Sequence, residues 1–499
     1  MTTDDAVKKV AQGAGVTFVG KLISTGFKYA TQLLIARLLG AEAFGIYALG
    51  IVLYQFGELV SRLGLEAGAV RYVAVHFDAD DRSKLKGVLV QTLGLPLILG
   101  AMFGTILYVA ADSIALTIFD EPDLAEVLRV MAIAVPFGAS MMVAAFATTG
   151  FHLTKYKVYL LELILPCTTL IFSVVACLLG WQIVGVAIAW LLATLISFLS
   201  SLWFIYRLFP DLFKRTVKPT YETRQLLIFS LSLVLGNFLW LVLLWTDVLM
   251  LGYFRPAAEV GVYRAASQTS FLMTIVATSL NTMFAPVIAS LFSRGDRDKM
   301  NELFQTTTRW SFALSLPLFL IVAVVPQELL SLFGEEFQVG ALALVILSLG
   351  QLVRAGTGPG VDMLVMSGNE RLKVVGDIAA VLMNAVLNLL LIPPLGVGGA
   401  AIASAISISA VNLLRLVQVY TVLQVQAFNW GYFKPVAAGA AAGIAGFLIH
   451  IVLAASPWLV TLLITAAVIL LVYAALLLVL GIDPSDRVLL QKMLRKVGL

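Results

Sequence analysis

The sequence predicts an all-α, polytopic membrane protein of about fourteen transmembrane helices, built as two parallel-oriented six-helix repeats plus a C-terminal helix pair. Three observations predict it. Apolar blocks of about 20 residues follow one another from end to end, basic residues fall in alternate connections, and the two halves of the chain repeat each other. Hydrophobic residues fill 60% of the 499 positions and charged residues only 12%, about half the charge of a soluble globular chain. Mean hydropathy is +0.98. Blocks of that length match a hydrocarbon core of about 30 Å at about 1.5 Å per helical residue. Barrel strands would alternate over about ten residues, and no such alternation runs through the sequence.

Taken in order, the spans fall near 13–37, 43–66, 87–111, 123–148, 157–179, 183–206, 225–250, 258–288, 303–326, 338–366, 372–393, 397–421, 433–454 and 457–480. The longest connections, 67–86, 207–224 and 289–302, leave no room for a soluble domain. Residues 1–212 therefore read as the first six-helix half, 213–424 as the second, and 425–499 as two extra helices with a tail. The first apolar run carries Lys21 and Lys28 and reads as a retained helix rather than a cleaved leader.

Alternate connections hold the Lys and Arg. Lys8 and Lys9 precede the first span; Arg71, Arg82, Lys84 and Lys86 follow the second. Lys155 and Lys157, the group from Arg207 to Arg224, then Arg294, Arg297 and Lys299, Arg371 and Lys373, and Lys434 continue the series. Arg487, Lys492, Arg495 and Lys496 end it. The intervening connections carry Arg255 beside acidic groups such as Asp120, Glu121, Glu335 and Glu336. The positive-inside rule then puts both termini in the cytoplasm and makes the span number even. The net charge of +4 sits in short loops, with no basic domain for nucleic acid.

The halves match at an offset of about 214–218 residues. Phe44-Gly45-Ile46-Tyr47-Ala48 recurs as Val260-Gly261-Val262-Tyr263-Arg264, and Ile118-Phe119-Asp120-Glu121 as Leu332-Phe333-Gly334-Glu335. Gly150 and Lys155 match Gly368 and Lys373, and Val184–Ala189 matches Gly398–Ala403. An even number of spans per repeat inserts both halves the same way, related by a pseudo-two-fold along the membrane normal with the site at their interface.

Charges within spans cost about 2.5–3.5 kcal/mol each on insertion scales, so they face a cavity or a partner. Thr17, Lys21, Thr25, Lys28 and Gln32 share one face of the first helix, with Lys21 and Lys28 about 10 Å apart along it. Glu58, Arg62 and Glu66 form an i, i+4 ladder on the second helix, with Tyr47 and Tyr54 along the same stripe. Asp247 ends the seventh helix; Arg264 and Gln268 share a face of the eighth. Asp377, Asn384 and Asn388 line a face of the eleventh, where interhelical hydrogen bonding is the default. Arg309, Arg354 and Asp362 complete the set, with Arg129 and Arg415 assigned to the interfaces. The candidate cavity-lining residues are thus Lys21, Lys28, Glu58, Arg62, Asp247, Arg264 and Gln268. Their balance is cationic and suits an anionic substrate.

Other chemistries find no support. There is no G-x-x-x-x-G-K-[ST] loop for ATP and no Ser/His/Asp constellation. His76, His152 and His450 are scattered, and Cys167 and Cys177 lie on different faces of one span. No enzyme activity, metal or cofactor is expected.

Leu33-Leu34-Ile35-Ala36-Arg37-Leu38-Leu39-Gly40 followed by Phe44-Gly45-Ile46-Tyr47, Asp247–Gly252 leading into Glu259–Ala266, Phe284-Ala285-Pro286, Leu329–Phe337 and Gly396–Ile402 together resemble the polysaccharide-transporter, or oligosaccharide flippase, branch of the multidrug/oligosaccharidyl-lipid/polysaccharide exporter superfamily. The resemblance covers essentially the whole chain. It implies translocation of a polyprenyl-(di)phosphate-linked oligosaccharide from the cytoplasmic to the outer leaflet of the plasma membrane by alternating access, for surface polysaccharide or glycoconjugate assembly. It also implies a cavity lined by basic residues of the first, second and eighth helices, which Lys21, Lys28, Arg62 and Arg264 would supply here. Expected partners are the lipid-linked oligosaccharide, membrane lipids and glycosyltransferases or a polymerase of a glycan pathway. A cation-coupled drug or metabolite exporter and a peptidoglycan-precursor flippase on the same fold stay open as alternatives.

Overall fold

The computed structural model describes residues 3–480 apart from 213 and 215, with side chains from residue 20 onward apart from 235, 237, 240, 276, 282 and 283. The side chains of Lys8, Lys9 and Thr17, Arg215, and the tail cations from Arg487 to Lys496 lie outside the described residues.

No strand occurs among the described residues. In lipid every backbone N–H and C=O must be satisfied within its own segment, and the helix does this. The first unit, Met1–Gly261, begins with α1 (Thr3–Arg62) and α2 (Leu65–Asp78). It continues with α3 (Arg82–Ser113), extended by a π turn over Ile114–Ile118, and α4 (Asp123–Gly150). Next come α5 (Thr154–Val158), a second π turn over Tyr159–Ile164 and α6 (Leu165–Leu178), then α7 (Gln182–Leu208), α8 (Thr223–Phe254) and the start of α9 (Ala257–Phe271). The second unit, Val262–Leu499, holds the rest of α9, α10 (Thr274–Ser293), α11 (Arg297–Val324), α12 (Pro326–Leu330), α13 (Ala341–Gly356) and α14 (Gly360–Met366). It closes with α15 (Glu370–Leu423), α16 (Phe433–Val452) and α17 (Trp458–Val479).

Among the described residues ten helical stretches are long and apolar enough to cross a membrane. Gly20–Asp78 and Glu370–Leu423 are 59 and 54 residues long, each enough for two crossings of about 20 residues. They break at Gly40 (φ 86°) and Gly396 (φ 52°), where a positive φ reverses the path and glycine accepts it without a Cβ clash. With α8 and the α9–α10 stretch, each of the fourteen expected spans finds its helix. This is a multi-pass membrane protein.

Two boundaries differ from expectation. The stretch after residue 66 is helical to Asp78 rather than looped, because Leu65, Ala69 and Val73 face inward and join Leu85, Leu89, Phe151 and Leu226 in a buried cluster. The Glu58–Arg62–Glu66 ladder also spans a helix break at Leu63 (φ 49°) and Gly64 (φ 69°), so it is not one continuous helical face.

The sequence repeat has a backbone counterpart. Residues of positive φ end corresponding connections: Asp80 and Gly295, Asp120 and Gly334, His152 and Gly368, Gly180 and Gly396, each pair 214–216 apart. Asp81 caps α3 by accepting from the Lys84 N–H at 3.0 Å, and Asp296 caps α11 by accepting from the Lys299 N–H at 3.3 Å. Contact also joins corresponding positions. A Cβ on Gly45 would overlap the Ala257 carbonyl oxygen, and one on Gly261 would overlap the Ala41 carbonyl oxygen. The backbones of α1 and α9 therefore touch through glycine at both ends of a reciprocal crossing, the small-residue mode that packs helices where lipid offers no hydrophobic drive.

The connection between α7 and α8 is strapped to α3. Arg82 and Lys214 pair with Asp211 at 3.0 and 2.7 Å, Thr220 N–H donates to Ser83 O at 3.0 Å, and Lys84 reaches Glu222 at 2.9 Å. The hydrogen bond from Lys84, with the nearby His76, holds the Glu222 carboxyl below the ordinary carboxylate range. A depressed carboxylate contributes its stability above its unfolded pKa and loses it as pH falls through the folded value. The strap is thus intact at neutral pH and released in acid, once the pH falls below the ordinary carboxylate range. At neutral pH, Glu222→Gln should speed proteolytic cleavage within 209–222 several-fold, and the difference from wild type should vanish in acid.

In the second unit α16 and α17 dock on α11. Tyr473 Oη donates to Ala313 O at 2.8 Å, Tyr432 Oη donates to Gly356 O at 3.1 Å, and Gly439 admits the Leu316 side chain. An apolar groove of about 600 Å³ runs between α11 and α16, lined by residues such as Leu316, Leu320, Gly443 and Phe447.

Candidate functional site

The first unit holds five of the seven candidate residues. Lys21 and Lys28 are exposed on α1, two turns apart on one face as their spacing requires. The Lys28 ammonium lies 3.7 Å from the Glu162 carboxylate, supplied by the π turn between α5 and α6. That partner was not legible in the sequence. The same side of α1 approaches α5 closely, for a Cβ on Gly20 would press on the Val158 side chain. Among the described residues, Glu162 is the carboxylate that reaches this exposed basic face.

Glu58 is 7% exposed. Arg62 pairs with Glu66 at 3.8 Å with both side chains largely buried, and the Arg62 Nε is buried without a hydrogen-bond partner. Tyr47 and Tyr54 are core residues rather than lining. Tyr54 stacks edge-on against Trp190 with centroids 5.6 Å apart, and its hydroxyl fills the space beside Gly138. One residue along, Gln55 accepts from the Trp245 indole N–H at 2.8 Å, tying α1 to α8 two residues before the buried Asp247.

The second unit holds Arg264 and Gln268, both half-buried on α9; the side-chain oxygen of Gln268 is buried without a hydrogen-bond partner. Beside them runs a buried polar chain: Tyr263 Oη lies 3.4 Å from Ser404 Oγ, Asn384 donates to Ser404 at 3.5 Å, and Asn388 donates to Asn384 at 3.1 Å. Asn384 thus makes the expected bond to a second helical arm, at Ser404, whereas Asn388 bonds Asn384 within its own arm.

Arg415, assigned to the interfaces by its position near a span end, is buried within the protein and paired. Its side chain is 12% exposed and pairs with Asp377 at 2.5 Å, while Lys373 binds the other oxygen of Asp377 at 2.7 Å. The turn at Gly396 folds the two parts of α15 together and brings these residues into contact. Hydropathy along the chain does not carry that pairing. Arg129 pairs with Asp112 at 2.5 Å, half-exposed. Among the described residues no His, Cys, Asp or Glu group could hold a metal ion, and both cysteines are free.

These features define a multi-pass, all-helical membrane protein with charged side chains embedded within each unit, among them Glu58 and Asp247 in the first and Arg309 in the second. The chain belongs to the polysaccharide biosynthesis protein family, which residues 10–292 match; residues 232–390 also match the MatE family. Two relatives come from Haloferax volcanii. One, named a probable low-salt glycan biosynthesis flippase, Agl15, is 25% identical over 34% of this chain and 36% of its own length. The other, named a probable flippase, AglR, is 30% identical over 34% of this chain and 37% of its own length. The matched stretch thus spans about a third of either relative. The solved structure of the lipid II flippase MurJ in an inward closed conformation superposes with a TM-score of 0.70, covering 93% of this chain and 98% of that one. At 14% identity the likeness is one of fold.

Proposed function

We propose that this protein is a flippase that moves a polyprenyl-phosphate- or polyprenyl-diphosphate-linked oligosaccharide from the cytoplasmic to the outer leaflet by alternating access, for surface polysaccharide or glycoconjugate assembly. The observation that carries the reading is the exposed basic face of α1, Lys21 and Lys28, in a chain of a polysaccharide biosynthesis family. A lipid-borne phosphate is an anion that must cross a region where unpaired charge is costly. Ammonium and guanidinium groups on the transport path lower that cost by charge-assisted hydrogen bonds.

Lys21, Lys28, Arg62 and Arg264 bind the phosphate; Glu58 and Asp247 moderate the field, and Gln268 offers a neutral hydrogen-bonding partner. The two halves, 1–212 and 213–424, rock about a pseudo-two-fold along the membrane normal, and 425–499 adds two helices outside the repeat. The reciprocal crossing of Gly45 and Gly261 supports this arrangement, since it joins corresponding positions of the repeat. In this reading both termini are cytoplasmic, which the basic alternate loops support, and the membrane is the plasma membrane. Glycosyltransferases and a polymerase would supply and consume the cargo.

Everted vesicles presented with a labelled lipid-linked glycan test the reading. Wild-type protein should flip the lipid. Replacing Lys21, Lys28, Arg62 and Arg264 together by glutamine should lower the rate at least about tenfold, a loss of about 1.4 kcal/mol. Unchanged flipping by the fourfold variant would refute the site. No flipping by the wild type would refute the function.

A further inference from the structure

Glu162 is not among the predicted lining residues, yet two features of the fold set it against the basic face of α1. It lies in the π turn Tyr159–Ile164, whose wider turn resets the direction of the side chains; such turns are rare and recur at functional sites. The backbone of α1 also packs on this turn. A Cβ on Gly20 would meet Val158 Cγ1 at 2.6 Å and the Glu162 Cβ at 3.7 Å. Lys28, whose ammonium the Glu162 carboxylate reaches, is eight positions and about 12 Å further along α1. The two side chains span that distance between them, so the pair lies along the stretch from Lys21 to Lys28.

The pair is loose. A charge-assisted hydrogen bond spans roughly 2.7–2.9 Å. Lys84–Glu222 and Lys373–Asp377 reach that closeness at 2.9 and 2.7 Å, whereas Lys28 and Glu162 stand 3.7 Å apart. Both ends are partly exposed, 53% for Lys28 and 24% for Glu162, so parting them strands no fully buried charge. Lys157, five positions before Glu162, stands over the Phe146 ring at 3.8 Å. Among the described residues, the ion pair of Glu162 is with Lys28.

A carrier that moves an anion returns empty, and an ammonium at membrane depth without a counter-ion is costly. Glu162 supplies that counter-ion. A phosphate brings several strong acceptor oxygens. At hydrogen-bonding distance from Lys28 it outcompetes a carboxylate held at 3.7 Å by charge alone.

Taking the Lys21–Lys28 face as the cargo site, as the flippase reading does, we infer that Glu162 is a displaceable counter-ion. It neutralises Lys28 while the carrier is empty and yields that lysine to the lipid-borne phosphate on loading. As the cargo leaves, Glu162 returns to Lys28 and hastens release. The carboxylate thus weakens the site by competition, which keeps the cargo from being held too tightly to leave.

The purified full chain in maltoside detergent is titrated calorimetrically with farnesyl diphosphate, a soluble prenyl diphosphate. The wild type should bind it, Glu162→Gln about fivefold more tightly and Lys28→Gln about tenfold more weakly. Adding Glu162→Gln to Lys28→Gln should change nothing further, since the carboxylate acts through that lysine. A residue that merely shaped the site would weaken binding when replaced. Glu162→Met, apolar and of similar length, gives a second variant should Glu162→Gln not fold. Glu328→Gln removes a carboxylate from the second unit and should bind as wild type. Unchanged or weaker binding by the Glu162 variant overturns the inference and leaves the flippase reading standing. So does equal tightening in Glu328→Gln, or tightening that persists without Lys28. No binding by the wild type removes the site itself, and the inference with it.

Discussion

Gly45→Leu should lose about 3 kcal/mol of stability, the upper part of the range for overpacking a tight interior, and transport should fall with it. The crossing of α1 and α9 leaves no space at Gly45, where the first atom of any side chain meets the Ala257 carbonyl, nor at Gly261, where it meets that of Ala41. Neither obstacle is a side-chain tip that can swing away; each is backbone, so the helices themselves must part. Gly261→Leu should cost as much, since the contact is reciprocal. Gly94→Ala is the control, for nothing lies within 4 Å of a Cβ there, and alanine is the better helix former by about 1 kcal/mol. Thermal unfolding of the purified protein in detergent ranks the three variants. Wild-type stability of Gly45→Leu would show that the crossing is not close-packed.

Asp377→Ala should be the other severe change, at about 3 kcal/mol. Asp377 is the shared partner of Arg415 and Lys373. Its loss leaves a largely buried guanidinium without its carboxylate, and removing one member of a buried pair typically costs 3–5 kcal/mol, roughly. The double change Asp377→Ala/Arg415→Met should recover most of that loss, because an apolar replacement of a whole buried pair is close to neutral. The same unfolding measurement decides it. If the double variant is no more stable than Asp377→Ala, the loss belongs to packing and not to the stranded charge.

Some of this could be read along the chain and some could not. Gly40 and Gly396 interrupt the two long helices where the expected spans stop and restart, because a glycine between apolar blocks is a local signal. The repeat was legible for the same reason, since Gly45 and Gly261 recur in matching surroundings; the touching of their backbones was not. Lys21 and Lys28 were found by helical spacing, but Lys28's partner Glu162 lies 134 positions away. Arg415 was assigned to an interface and its pairing was not legible, because its partner Asp377 comes from the other arm of a hairpin 38 positions back. The docking of α16 and α17 on α11 depends on the registers of Tyr473 against Ala313 and Gly439 against Leu316, which no periodicity announces.

By itself the sequence determined the solvent, the helical class, the number of spans and the loop asymmetry. These follow from composition and order, because in lipid each segment must satisfy its own backbone and a helix of about 20 apolar residues does so alone. The tertiary structure decided which embedded charges are paired and which glycines are obligatory. Those depend on the rotation and register of helices distant in sequence. In a bilayer that choice is made by close packing and polar pairing rather than by the hydrophobicity a sequence displays.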